Sequence, residues 1–255
     1  MSTEFQWNQY WRENGDPIEG NPANLYRERE ICRIIGNPKP GDTLIDIGSG
    51  QGELAIRLGQ RYRGLKIIGV EASEEGVLKA RDKALRVNTK AQFEVRDLSI
   101  SQTLDPQMVG VANYAVCTEV LEHVEDPAGI MHFAREYMAK DCKVIVTVPG
   151  GPRTAFDRHI GHVGHFSIKK LETVLNESGY AVDNIYAAGF PFFNLYKLLV
   201  MARGQAMIRD IDRASDAGFG KSTELAMKIF EHLFRLNSRS SRLGWQIIAV
   251  ARPTL

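Results

Sequence analysis

The chain has 255 residues, of which 44% are apolar, 25% charged and 9% aromatic, the composition of a globular protein with one substantial core rather than a disordered or fibrous one. Lys and Arg total 32 against 31 Asp and Glu, so a net charge of +1 provides no global field to gather nucleic acid or anionic lipid. Three cysteines, Cys32, Cys117 and Cys142, without a CxxC pair make neither a disulfide framework nor a thiolate zinc site, and a reducing cytoplasm is the expected setting.

Residues 1–14 are polar and aromatic and lack the apolar core of a signal peptide. WNQYW and a helix-like stretch over 23–35, closed by a PKPG turn, predict a helical cap over residues 1–40. From Thr43 short β-branched runs alternate with amphipathic segments, the pattern of a parallel sheet covered by helices. Strands are predicted at 43–47, 66–71, 91–95, 114–118 and 143–148, with helices at 53–62, 74–87 and 127–139 and a weaker helix before the fourth strand. A helix over 168–178, ended by Gly179, leads to an alternating strand at 180–186, and the last strand spans 245–251. Between these two strands, FPFFNLYKLLVMARG and KSTELAMKIFEHLFRL both carry helical periodicity. Residues 190–244 are therefore expected to form a helical insertion, a candidate lid, on a single domain whose α/β core is 41–189 and 245–255. The longest uncharged run, 184–196, is too short to span a bilayer, so neither export nor membrane spanning is expected.

The segment TLIDIGSGQGELAIRL puts Asp46 inside a buried strand and Gly48, Gly50 and Gly52 in the turn before a helix that starts near Glu53. Alone, such a turn does not separate a nucleotide site from a plain glycine-rich connection. Glu71 ends the second strand, where a carboxylate can accept from both ribose hydroxyls, and Asp97 follows the third, where it can accept from an adenine amino group. A carboxylate at Asp46 would repel a pyrophosphate, which favours a cofactor with an ammonium group over a dinucleotide.

DIGSGQG, the VEAS and RDL elements and TEVLEHVEDP together resemble the class I S-adenosylmethionine-dependent methyltransferases, in particular the subgroup with the ubiquinone-pathway O-methyltransferases. The resemblance covers roughly residues 41–180, with 245–251 matching the family's last strand. It implies a Rossmann-like seven-stranded, mostly parallel sheet with an antiparallel last strand, and S-adenosyl-L-methionine as cofactor. By the same resemblance Asp46, Gly48, Ser49 and Gly50 lie along its methionine part, Glu71 and Ala72 at the ribose, Asp97 and Leu98 at the adenine, and Thr118 beside the sulfonium. Ser49 stands where the family often has Cys or Ala, and Glu71 where Asp is commoner.

Methyl transfer is a direct displacement, so the enzyme aligns a nucleophile and, for a hydroxyl, removes its proton. Glu119, Glu122 and His123 follow the fourth strand at spacings that would share one face of a helical turn. DRHIGHVGHFS supplies His159, His162 and His165 beyond the fifth strand, whose end neighbours the fourth in a parallel sheet. Glu119, Glu122, His123 and His162 are thus candidate ligands for Mg, Mn, Fe or Zn. This ExxEH pattern with a later His is similar to that of metal-dependent 2'-O-methyltransferases acting on RNA ends, with His162 matching the distal ligand. Without a metal, Glu and His cap a helix, and His162 or His165 becomes the candidate catalytic base. His159 reads as solvated, and Asp157 and Arg158 as turn residues.

Residues 190–209 contain no acids, thirteen apolar residues of twenty, and Lys197, Arg203 and Arg209. Such a stripe packs on the sheet, covers an apolar substrate, touches an anionic membrane peripherally or forms a homodimer interface. Trp7, Tyr10 and Trp11 are placed to close over a cofactor. The expected function is methyl transfer from S-adenosylmethionine to a small-molecule or lipid-like acceptor, most readily at a hydroxyl oxygen. Three alternatives stay open: metal-dependent 2'-O-methylation of RNA ends, against which the balanced charge argues, a nicotinamide-dependent oxidoreductase, and a non-catalytic cofactor-binding subunit.

Overall fold

The computed structural model describes residues 3–13, 21–202 and 221–254. Its strands are β1 (Thr43–Ile47), β2 (Lys66–Glu71), β3 (Gln92–Val95), β4 (Ala112–Thr118), β5 (Met138–Pro149), β6 (Tyr180–Ala188) and β7 (Gln246–Pro253). They form one seven-stranded sheet in the order β3-β2-β1-β4-β5-β7-β6. β1 to β5 pair in parallel, and β7 lies antiparallel between β5 and β6. All five residues of β1 are buried, which explains why Leu44, Ile45 and Ile47 flank Asp46 without polar alternation.

Four helices start at a side-chain cap. Asn21 accepts from the Ala23 amide ahead of α2 (Pro22–Ile35), and Ser73 from Gly76 ahead of α4 (Glu74–Arg86). Asp126 does the same for α5 (Pro127–Ala134) and Ser167 for α7 (Ile168–Glu177). Besides these, α1 (Thr3–Glu13), α3 (Glu53–Arg61), a short α6 (Ala155–His159), α8 (residues 192–202) and α9 (Lys221–Leu233) complete the set among the described residues. Side chains of α2, α3, α4, α8 and the end of α9 share one core with Leu44 and Ile67, whereas α5 and α7 share the other with Ile45 and Ile47. Alternation along β1 therefore sends its residues to opposite faces of the sheet.

Two expectations are corrected. The helix read over 127–139 stops at Ala134, because Met138 pairs with Ala112 and opens β5 well before position 143. The weaker helix before β4 is a single 3-10 turn, Pro106–Met108, capped by Asp105.

In the segment read as an insertion, the Phe193 ring of α8 lies 5.5 Å from Tyr26 of α2, and Phe234, just after α9, lies 5.7 Å from the same ring. Positions 203–220, with Arg203 and Arg209 of the stripe, lie outside the described residues. Among the described residues no helix is long and apolar enough to cross a membrane.

At its glycine positions the turn after β1 has no room for side chains. Gly52 has φ +80°, and a Cβ there would stand 2.6 Å from Phe93 Cζ and 2.9 Å from Ala80 Cβ. Gly52→Ala is expected to cost about 2–4 kcal/mol, from left-handed strain and overpacking together. At roughly 2–4 °C per kcal/mol for a chain of this size, thermal unfolding should show a Tm lower by about 5–15 °C. An unchanged Tm would contradict this packing.

Candidate active site

The strand order reverses between β1 and β4, the switch point at which open α/β sheets bind ligands beyond the carboxyl ends of their strands. A cleft of about 700 Å³ opens there. All nine residues assigned to the cofactor line it, from Asp46 on β1 to Thr118 on β4.

Glu71 organises this end. One carboxylate oxygen accepts from the Gly50 amide at 2.9 Å and the other from the Ser73 amide at 2.9 Å, which ties the glycine turn to the end of β2. Burial pushes its carboxyl above the usual range, against the pull of those amides. Asp46 is only 3% exposed, and burial followed by the nearby Glu71 pushes it up to about 7. Its Oδ2, together with Ser49 Oγ and Thr118 Oγ1, is buried without a hydrogen-bond partner. Asp97 accepts from the Ser99 amide at 2.8 Å, and Leu98 beside it is buried. Close approach at Gly48 and Gly50 is needed on the other side of the turn. A Cβ on either would meet Val120 at 2.5 Å or Trp11 at 2.9 Å.

α1 lies along the mouth. Trp7, Tyr10 and Trp11 all line the cleft, and the Trp7 ring is 5.0 Å from that of His123. Asn8 Oδ1 pins this helix by accepting from Ser73 Oγ at 2.6 Å and from the Glu75 amide at 3.2 Å.

At the reacting end the expected single helical face is not formed. Glu119 has φ +56° and precedes a 3-10 turn, Leu121–His123, and its carboxylate is not among the ligand-type atoms that cluster there. It pairs with Arg27 of α2 at 3.3 Å and accepts from Gln246 Nε2 of β7 at 2.8 Å and Thr147 Oγ1 at 3.2 Å. Glu122, His123 and His162 do converge, with ligand-type atoms all within 4.8 Å. The backbone causes this: the Val163 amide donates to the Glu122 carbonyl at 2.8 Å and draws the later loop against the turn. Three of the four residues read as metal ligands are thus together, and Glu119 stands apart.

Glu122 is fully buried with neither carboxylate oxygen partnered, and burial, reinforced by Glu119, pushes its carboxyl well above the usual range. Burial pulls His123 down to about 4 and, with help from His123, His162 down to about 3, so both imidazoles are neutral. Of the four histidines in the two motifs, only His123 lines the cleft. His162 is buried and His165 half-buried, neither lining it, and His159 is exposed. Asp157 is 2% exposed and accepts from the Thr154 amide at 2.7 Å, while its own amide donates to Thr154 Oγ1.

A profile of the methyltransferase domain matches residues 23–185, more than half of the sequence. The chain belongs to the methyltransferase domain family. Ubiquinone biosynthesis O-methyltransferase of Alkalilimnicola ehrlichii is 28% identical to this methyltransferase-domain chain over 126 residues, 48% of the chain and 47% of that protein. Sphingolipid C9-methyltransferase A of Emericella nidulans is 28% identical over 168 residues, 63% of the chain and 31% of that protein. The chain therefore spans about half the length, or less, of the curated relatives it matches. Geranyl diphosphate C-methyltransferase of Streptomyces coelicolor A3(2), solved with Mg2+, geranyl diphosphate and S-adenosyl-L-homocysteine, superposes with a TM-score of 0.60. The identity is 13%, with 100% of this chain and 99% of that chain covered. At such identity the likeness is one of fold: the sheet is that of the class I S-adenosylmethionine-dependent methyltransferases, as the motifs implied.

Within this methyltransferase fold, three residues escaped the sequence reading. Gln246 carried a signal, since a buried polar residue opening an apolar strand asks for a partner. Arg27 and Asn8 carried none, because each looks like any polar position on a helix.

Proposed function

We propose that this chain transfers a methyl group from S-adenosylmethionine to a hydroxyl oxygen of a small-molecule or lipid-like acceptor, with a divalent cation held by Glu122, His123 and His162. The observation that carries this reading is two sets of buried polar atoms without partners: Asp46 Oδ2, Ser49 Oγ and Thr118 Oγ1 in one, and Glu122 Oε1 and Oε2 with His123 Nδ1 in the other. Buried polar atoms are almost always hydrogen-bonded, so each set fits a ligand's own charge and donors. The first suits an ammonium group and the second a cation. Glu119, already engaged by Arg27 and Gln246, is left out of the ligand set.

Bound S-adenosylmethionine supplies the electrophilic methyl group, and a bound cation supplies positive charge for an acceptor oxygen. Glu71 positions the ribose, Asp46 faces the ammonium group, and the ring cluster of α1 excludes water from the cleft. His162 and His165 do not line the cleft and do not take the acceptor's proton in this reading; a hydroxyl beside the cation would release that proton to solvent before its oxygen takes the methyl group and S-adenosylhomocysteine leaves. Calorimetry with S-adenosylhomocysteine and transfer of labelled methyl to hydroxyl acceptors, with and without apolar tails, test it. Protein purified without a histidine tag should bind the homocysteine product and respond to zinc or manganese over chelator. A dinucleotide bound in its place would sink the proposal.

Asp46 adds a pH signature. Its carboxyl titrates at about 7 in the folded, ligand-free chain, above its unfolded value, so it contributes stability at low pH that is lost as pH rises through about 7. An ammonium group at Oδ2 stabilises the carboxylate and reverses that preference. Affinity for S-adenosylhomocysteine should therefore rise between about pH 5.5 and 7.5, and Asp46→Asn should flatten the profile. A wild-type profile already flat would remove Asp46 from the ammonium contact.

A further inference from the structure

His162 belongs to two clusters of ligand-type atoms, Glu122 with His123 and His162, and Asp157 with His162 and His165. A neutral imidazole has one free lone pair, and the nitrogen that carries it decides which cluster can take a cation. The hydrogen bonds settle this. His165 Nδ1 stands 3.1 Å from the Gly151 carbonyl oxygen, which can only accept, so Nδ1 carries the proton. His165 Nε2 is then an acceptor, and His162 Nδ1, 3.1 Å away, donates to it. What remains on His162 is the Nε2 lone pair, 4.0 Å from Glu122 Oε1, with the His123 ring centroid 4.6 Å from its own. By the same step the Asp157 cluster is closed. There His162 offers a proton, and the His165 Nε2 lone pair is already used.

We propose that His165 is a positioning residue: with the Gly151 carbonyl it locks His162 in the tautomer whose Nε2 faces Glu122 and His123, so that this triad, and not the Asp157 cluster, takes the metal. This rests on the metal reading above. Two imidazole nitrogens and one carboxylate also select the ion, favouring zinc, iron or manganese over magnesium, which prefers an all-oxygen shell. A ligating histidine that donates its other N–H to a fixed acceptor is the usual outer-shell device, here extended through a second ring to a main-chain carbonyl.

The test begins on metal-free protein, where 15N NMR reads imidazole tautomers directly. Both His162 and His165 are expected as the Nδ1–H form, and His162 found as the Nε2–H form would overturn the relay whatever metal does. Zinc titration then follows binding rather than turnover. His165→Leu should lose about 10- to 100-fold in zinc affinity. His165→Gln, whose amide oxygen accepts from His162 Nδ1, should recover most of it, and Asp157→Asn should stay within a few-fold of wild type. A leucine variant that binds zinc like wild type, or a loss at Asp157→Asn as large as that expected for His165→Leu, overturns the assignment. Wild type with no zinc or manganese binding but the expected tautomers would overturn the metal reading alone.

Discussion

Glu71→Ala is expected to weaken S-adenosylhomocysteine binding by about 100-fold or more if Glu71 holds the ribose as proposed, because hydrogen bonds to a charged acceptor are worth about 1.5–3 kcal/mol each and two hydroxyls would lose theirs. The same carboxylate accepts from Gly50 and Ser73 at 2.9 Å each, so its removal also orphans two buried amides. That should cost about 1–3 kcal/mol of stability per unsatisfied group. The variant is therefore expected to be both a poor binder and less stable. Glu71→Asp, with a shorter reach, should keep the charge and fall between wild type and alanine. Calorimetry and thermal unfolding on the same samples separate the two effects. An alanine variant that binds like wild type would mean the ribose lies elsewhere.

Glu122→Met should abolish metal binding and reduce turnover by about 100-fold or more if a cation polarises the acceptor oxygen. It should also raise the stability of chelator-treated protein. A fully buried carboxylate with neither oxygen hydrogen-bonded is a cost to the fold, and replacing buried polar groups by well-packed apolar ones of similar volume gains about 1–4 kcal/mol in favourable cases. A site kept for function destabilises the chain that carries it. Gain in Tm with loss of metal is the combination that a purely structural Glu122 would not give. A methionine variant that is less stable and equally active would show that the carboxyl supports the fold instead.

Much of the cleft beyond β1 and β2 was legible in the sequence because each motif there is short and lies within one strand–turn–helix unit. β1 and β2 run over the very residues whose β-branched runs predicted them. Gly48, Gly50 and Gly52 all have positive φ, the backbone that a tight turn beneath a ligand requires. Asp46, Glu71 and Asp97 meet in one cleft because parallel strands bring their carboxyl ends to one edge, whatever the connecting helices contain.

The reacting end was not settled this way, since its geometry depends on residues remote in the chain. Helical spacing put Glu119 in one ligand set with Glu122, but its carboxylate is taken by Arg27 and by Gln246, 127 residues away along the chain. The end of α5 was misplaced for a similar reason, because pairing of Met138 with β4 outcompetes a local helical preference. The sequence named His162 and His165, but only the Gly151 carbonyl, reached through the tertiary fold, decides where their protons sit. The sequence by itself thus determined the sheet, the glycine turn and the row of acids, which follow from local periodicity and strand direction. Which side chains are spent on one another, and which are left with lone pairs for a ligand, was decided by long-range packing that no local pattern encodes.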